Sequence, residues 1–174
     1  MTRSRLKDPV ENRIKELIET EREFHSLFDD GPVPCWHKIY DQKSRRFFMD
    51  KVNDAYTDAT GITTQAYTGQ SDDVVWEDAT AGVFYKNDLL VVQVRNMMQI
   101  EELVLNPKTQ TPQYAIGYKW PHILGRRVVG LWGMANLFEK DVWESIRSFH
   151  PFYLRNSVAL DKRWLEIYDR QPPR

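Results

Sequence analysis

The sequence predicts an α+β domain, a five-stranded antiparallel sheet with short helices on one face, and three observations lead there. Two runs of aromatic and branched residues, 35–41 and 45–52, are separated only by Gln42-Lys43-Ser44, which reads as a hairpin. Three further strand-like runs, 99–105, 113–120 and 127–137, follow with residues 106–112 and 122–126 as their turns. Between the two groups the apolar spacing turns helical. Two strands, several short helices and three strands close most simply as one sheet with the helices packed on a single face.

Each element has its own signals. Asp8, Pro9 and Glu11 match an N-cap, a first-turn proline and a capping box, so a helix starts there. Val10, Ile14, Leu17, Ile18, Phe24, Leu27 and Phe28 then give it one apolar face, and Gly31 with two prolines ends it. Residues 53–61 run from a capping Asn53 through Ala55, Tyr56 and Ala59 to a terminating Gly61, where positive φ is needed. Gly69 is read the same way, and Asp72 is expected to cap a short turn over 72–76. Residues 79–94 read as a longer helix, with a strand as the alternative because of the paired valines. Val142, Ile146 and Phe149 place a helix in the tail, interrupted at Pro151 and continued by Leu160, Trp164, Leu165 and Tyr168. The divisions that follow are an N-terminal amphipathic helix over 1–33, a central domain over 34–138 and a C-terminal helical extension over 139–174.

Composition narrows the function. With 174 residues, one domain plus extensions is the expectation. The 24 Lys+Arg against 25 Asp+Glu give a net charge of −1, and no local basic patch stands out, so neither nucleic acid nor an anionic membrane is an expected partner. No apolar run approaches the roughly 18–20 residues of a membrane span, and no apolar stretch follows the basic N-terminus, which points to a cytoplasmic protein. Cys35 is the lone cysteine, which excludes a disulfide framework and a multi-cysteine zinc site.

The string Asn53-Asp-Ala-Tyr-Thr-Asp-Ala-Thr-Gly61, then Tyr67, Gly69, Ser71, Asp72 and Trp76, resembles the PAS sensory family. In that family a strand ends in an Asn that opens a short helix closing on Gly. Phe84-Tyr85-Lys86-Asn87-Asp88 is similar to the family's long central helix. Lys119-Trp120-Pro121 and Val128-Val129-Gly130-Leu131-Trp132-Gly133 are similar to its last two strands. The resemblance runs from Pro34 to Leu137 and implies a signalling or interaction module. It also implies what is missing: residues 65–69 hold no flavin-adduct cysteine and residues 79–94 no haem-ligand histidine, so the cofactor, if any, is unknown.

Catalytic and metal-binding constellations are not apparent. His25, His37, His122 and His150 are far apart in sequence and read as surface or half-buried residues, giving no metal site. Cys35 with His37 reads as a small buried Cys rather than a thiolate pair. Glu101 and Glu102 point to opposite faces of a strand, with Glu102 expected outside. No catalytic residue is assigned, and an enzyme is not the expectation.

Matching the last strands to the family pattern turns Val129, Leu131, Gly133 and Ala135 inward, with Ala115, Gly117 and Lys119 beside them. A small organic ligand is expected against these residues, with Asp50 as the partner of the inward Lys119. The outer face carries Ile116, Tyr118, Trp120, Trp132 and Met134, an apolar patch that calls for a cover. Ile14, Leu17, Phe24 and Phe28 of the first helix supply it, together with Tyr118, Trp120, Trp132 and Met134, in a homodimer interface. The 37 residues after Leu137 are too few for an ordinary output domain, so a separate effector protein is implied. The alternative is a cone-shaped enzyme of the ketosteroid-isomerase type, which requires an interior Asp50 or Glu101 beside Tyr40 or Tyr114.

Overall fold

A computed structural model describes residues 28–149. The expected helix over the N-terminus falls outside them except for its end, residues 28–30, as does everything beyond Phe149. The sheet is five-stranded: β1 (Cys35–Asp41), β2 (Arg46–Val52), β3 (Met98–Leu105), β4 (Pro112–Leu124) and β5 (Arg127–Phe138), in the order β2-β1-β5-β4-β3. All neighbours are antiparallel. Helices α1 (Asp54–Thr60), α2 (Thr64–Tyr67), α3 (Asp72–Val75) and α4 (Asp78–Val94) cross between the two strand groups, and α5 (Lys140–Phe149) follows β5. The α+β expectation holds.

Asn53 is the pivot between hairpin and helices. Its Oδ1 accepts from the Tyr56 and Cys35 amides, each at 2.9 Å, while its Nδ2 donates to the carbonyls of Phe28 (3.0 Å) and Val33 (2.8 Å). One side chain therefore caps α1 and ties the incoming chain to β1. Gly61 closes α1 at φ +76°, a conformation that costs other residues roughly 1–2 kcal/mol. Glu77 caps α4 through the Thr80 amide, and α4 is a helix in spite of its paired valines because Thr80, Val83, Asn87 and Val91 form a buried stripe at helical spacing.

Two expectations are corrected. Residues 122–124 continue β4 instead of turning, and the turn is only Gly125-Arg126, with Gly125 at φ +61°. Asp72 does not cap α3: Ser71 holds that position, and Asp72 is the helix's first residue with its carboxylate turned into the core.

Both sheet irregularities lie near one place. The β1–β2 register slips between His37 and Lys38, leaving Asp50 as an extra residue; the β4–β5 register slips between His122 and Ile123, leaving Val129 extra. Such bulges re-aim side chains. The second explains why Val128 is buried and Val129, expected inward by simple alternation, is only half-buried.

Candidate functional site

The concave face of the sheet and helices α1–α4 enclose a core of Trp36, Met49, Tyr56, Tyr67, Trp76, Val104 and Leu131. Within it lies a ring of charge. Lys38 Nζ on β1 donates to Asp72 Oδ2 on α3 and Asp88 Oδ2 on α4, both at 2.7 Å. Lys119 Nζ on β4 reaches Asp88 Oδ1 at 2.8 Å and Glu102 Oε1 on β3 at 2.7 Å. Asn87 Nδ2 also donates to Glu102 Oε1 (2.7 Å), and the Tyr67 hydroxyl to Asp72 Oδ1 (2.5 Å). Lys38, Asp88, Glu102 and Lys119 are at most 3% exposed.

Burial penalises the charged forms of Lys38, Asp88 and Lys119, yet the pairing wins. Desolvation works against both lysines, but the facing carboxylates hold their ammonium groups above the ordinary lysine range. Desolvation likewise works against the Asp88 carboxylate, and Lys119 and Lys38 hold it below its usual value. Tyr67 and Tyr56 are pushed up, chiefly by burial, and stay neutral, with Tyr67 donating to Asp72.

Beside the ring is a cavity of about 40 Å³, lined by Trp36, Lys38, Tyr56, Tyr67, Trp76 and Phe84 together with Glu102, Lys119, Ala115 and Ala135. The Trp76 indole N–H is buried there within reach of the Tyr56 and Tyr67 hydroxyls, but with no hydrogen bond of good geometry. A poorly made hydrogen bond leaves part of a buried donor's cost of about 1–3 kcal/mol unrecovered, so a better-placed acceptor would be favoured at this edge of the cavity.

The expected ligand residues separate into three groups. Ala115, Lys119 and Ala135 line the cavity, and Leu131 is fully buried in the adjoining core. Gly133 and Gly117 leave no open room: a Cβ on Gly133 would lie 2.3 Å from the Trp36 ring, and one on Gly117 would lie 1.8 Å from the Met134 carbonyl oxygen. Asp50 is corrected outright. It lies on the outer face, hydrogen-bonded through Oδ2 to His37 Nδ1 at 2.8 Å, because Met49 beside it points into the core and alternation sends Asp50 the other way. Glu102 is corrected too; expected outside, it is 2% exposed and bonded to Lys119 and Asn87. Lys38 was missed, although it shares the parity of Trp36 on β1.

The outer face is where alternation puts it. Tyr118, Trp120, Trp132 and Met134 are half-buried there, paired across β4 and β5 as Tyr118–Met134 and Trp120–Trp132. Phe28 packs edge-on against Trp132 at 5.2 Å, so the end of the first helix touches this face; Ile14, Leu17 and Phe24 lie outside the described residues. Glu101 accepts from the Trp143 indole of α5, and Trp143 stacks on Tyr114 at 4.1 Å. His37 and His122, distant in sequence, meet here with Nε2 and Nδ1 2.9 Å apart. His37 is 6% exposed, more enclosed than expected. Burial pushes the Cys35 thiol up to about 11. Among the described residues no group of three His, Cys, Asp or Glu is placed to hold a metal, and no helix is long and apolar enough to cross a membrane.

No family model and no curated protein matches this sequence. Solved structures do. The PAS domain of a protein from Colwellia psychrerythraea is 13% identical with a TM-score of 0.56, over 70% of this chain and 98% of that one. The PAS domain of Bordetella pertussis BvgS is 20% identical with a TM-score of 0.55, over 78% and 97%. This chain has the PAS fold. The phage VqmA–DPO complex is 22% identical with a TM-score of 0.55, covering 78% of this chain and 61% of that one. Within this fold the charge ring and cavity lie on the sheet face that α1–α4 cover, and the histidine pair lies on the opposite face.

Proposed function

We propose that the protein is a PAS-type sensory module that takes a small polar organic molecule into its interior cavity and signals, as a homodimer, to a separate effector protein. The carrying observation is the buried ring of Lys38, Asp72, Asp88, Glu102 and Lys119 beside the poorly satisfied Trp76 N–H. Removing five charges from water costs several kcal/mol each before pairing, and a packed apolar core of the same shape is commonly as stable or more so. A ring of that kind is better explained by something it recognises. Its chemistry asks for a compact planar molecule, stacked among Trp36, Tyr56 and Phe84, with an acceptor toward Trp76 and polar edges toward Lys119 and Glu102. A water needs roughly 10–15 Å³ of such space, so about 40 Å³ holds a few waters; a ligand with a ring enters only if Trp36 or Trp76 swings aside. That movement would be the signal. The VqmA neighbour, a complex with DPO, supports a ligand in this fold.

The homodimer rests on the outer face. Tyr118, Trp120, Trp132 and Met134, joined by Phe28 and continued by Ile14, Leu17 and Phe24, supply the apolar surface for it. The isomerase alternative loses ground: neither Asp50 nor Glu101 is interior, and the interior Asp72 is charge-paired to Lys38.

Native mass spectrometry of the full chain tests the ligand, with sedimentation for the dimer. The expected result is a small organic adduct, released on denaturation and lost when Ala135→Leu fills the cavity. An adduct-free protein whose melting temperature is unmoved by a panel of small heteroaromatic compounds would overturn the reading.

A further inference from the structure

The outer face of the sheet holds a second set of titratable groups, independent of the cavity, with His37 buried and Asp50 and His122 partly exposed. Asp50 Oδ2 lies 2.8 Å from His37 Nδ1, and His37 Nε2 lies 2.9 Å from His122 Nδ1. The sequence invests in this contact: both sheet bulges flank it, and Gly130 leaves it space, since a Cβ there would lie 3.2 Å from His37 Nε2 and 2.2 Å from the Lys38 carbonyl oxygen.

The proton count follows from donor and acceptor roles. A carboxylate only accepts, so His37 carries its hydrogen on Nδ1 and, when neutral, offers a lone pair at Nε2. His122 must then present Nδ1–H, leaving its own Nε2 bare. One added proton keeps the inter-ring hydrogen bond whichever ring holds it. A second leaves N–H facing N–H between two cations, with no acceptor between them.

Among the described residues, the charged and titratable groups around His37 are Asp50 and Lys51 from β2, His122 from β4 and, through its ion pair with Lys51 at 3.1 Å, Asp29. β5 contributes Trp132 and Gly130 and no charge, and Cys35, on β1 with His37, is a neutral thiol. Burial is the largest influence and disfavours the imidazolium; His122 and Lys51 add to it and Asp50 opposes it, so His37 titrates below its ordinary range. Its folded state prefers the neutral ring, so the stability this gives is lost as pH falls below about 6.5.

The readout is already in contact. The Trp132 ring lies 4.0 Å from His37 on one side and 5.2 Å from Phe28 on another, and Lys51 sits 4.4 Å over the Phe28 ring. We propose that His37 and His122 form a proton-operated latch on the convex face, whose double protonation parts the two rings and loosens the seating of residues 28–30 on Trp132.

The test is NMR of the full chain between pH 8 and pH 4.5, reading histidine nitrogens and the amide exchange of residues 28–30. At pH 8 the expected His122 tautomer is Nδ1–H, the less common one, a reading that needs no variant. The pair should titrate in two steps at least about one pH unit apart, and exchange at 28–30 should rise roughly tenfold or more across the second. His122→Asn keeps a donor near the Nδ1 position and cannot take up a proton, so it should abolish that rise. A His122 Nε2–H tautomer, coincident titrations, or an equal rise in His122→Asn would each overturn the latch.

Discussion

Replacing Lys119 by Met tests whether the interior ring is a set of mutually compensating charges. The ammonium is 1% exposed and touches Asp88 Oδ1 at 2.8 Å and Glu102 Oε1 at 2.7 Å. Lys119→Met keeps most of the side-chain volume, so the cavity term is small. What remains is a buried Glu102 whose only other partner among these bonds is the Asn87 amide, and an Asp88 left with Lys38 alone. Removing one member of a buried pair typically costs about 3–5 kcal/mol, because a charge stays behind without compensation. Adding Glu102→Gln removes that charge while its amide oxygen still accepts from Asn87, so the double variant should recover all but about 1–2 kcal/mol. Urea unfolding reads both: with a slope of about 2 kcal/mol per molar, the single variant shifts the midpoint by roughly 2 M and the double by less than about 1 M. A single variant within about 1 kcal/mol of wild type, or a double no better than the single, refutes the compensation argument.

Other positions give sharper contrasts. Gly82 lies inside α4 with nothing within 4 Å of an added Cβ, so Gly82→Ala should stabilise by about 0.5–1 kcal/mol, whereas Gly133→Ala, facing the Trp36 ring at 2.3 Å, should cost about 1–3 kcal/mol in thermal unfolding. Asn53→Ala removes a helix cap and uncovers buried carbonyls, a loss of about 3 kcal/mol that Asn53→Asp only partly restores because it lacks the donors. The low Asp88 and raised lysine values set the pH limits: Asp88's contribution is present above about pH 4 and falls away in more acid solution, and those of Lys38 and Lys119 decline only above about pH 10.5, which a pH series of unfolding midpoints checks. With its thiol pushed up to about 11, Cys35 should alkylate slowly at pH 7 and increasingly fast toward pH 11.

The elements were legible because their signals are local. Asn53 and Gly61 bracket α1 with a cap and a positive φ, and alternation along β5 separates Leu131 and Ala135 from Trp132 and Met134. The charge ring was half legible: Lys119 follows from parity, and Lys38 could have been found by the same rule from Trp36. Glu102 could not be placed, since what makes its burial tolerable arrives from Asn87 on α4 and Lys119 on β4. Asp50 and the histidine pair were hidden for another reason. Matching Asp50 to Lys119 overlooks Met49 beside it, which faces the core, and reading His122 as part of a turn conceals its place on the outer face of β4 opposite His37.

The ring also fixes how a ligand in the cavity would act. Lys38 links β1 to α3 and α4, and Lys119 links α4 to β4 and β3, with Asp88 shared between them. A polar molecule that bonds Lys119 or Glu102 must share or replace one of these contacts, because both are enclosed away from bulk solvent and a charge set free there is costly. Asp88 then leans on Lys38, and the displacement is carried to β1, the strand whose outer face holds His37. Cavity occupancy and the convex face are thus joined through one strand. Ligand binding should therefore change the amide exchange of β1 residues more than that of β2, and equal protection of both strands would contradict this route.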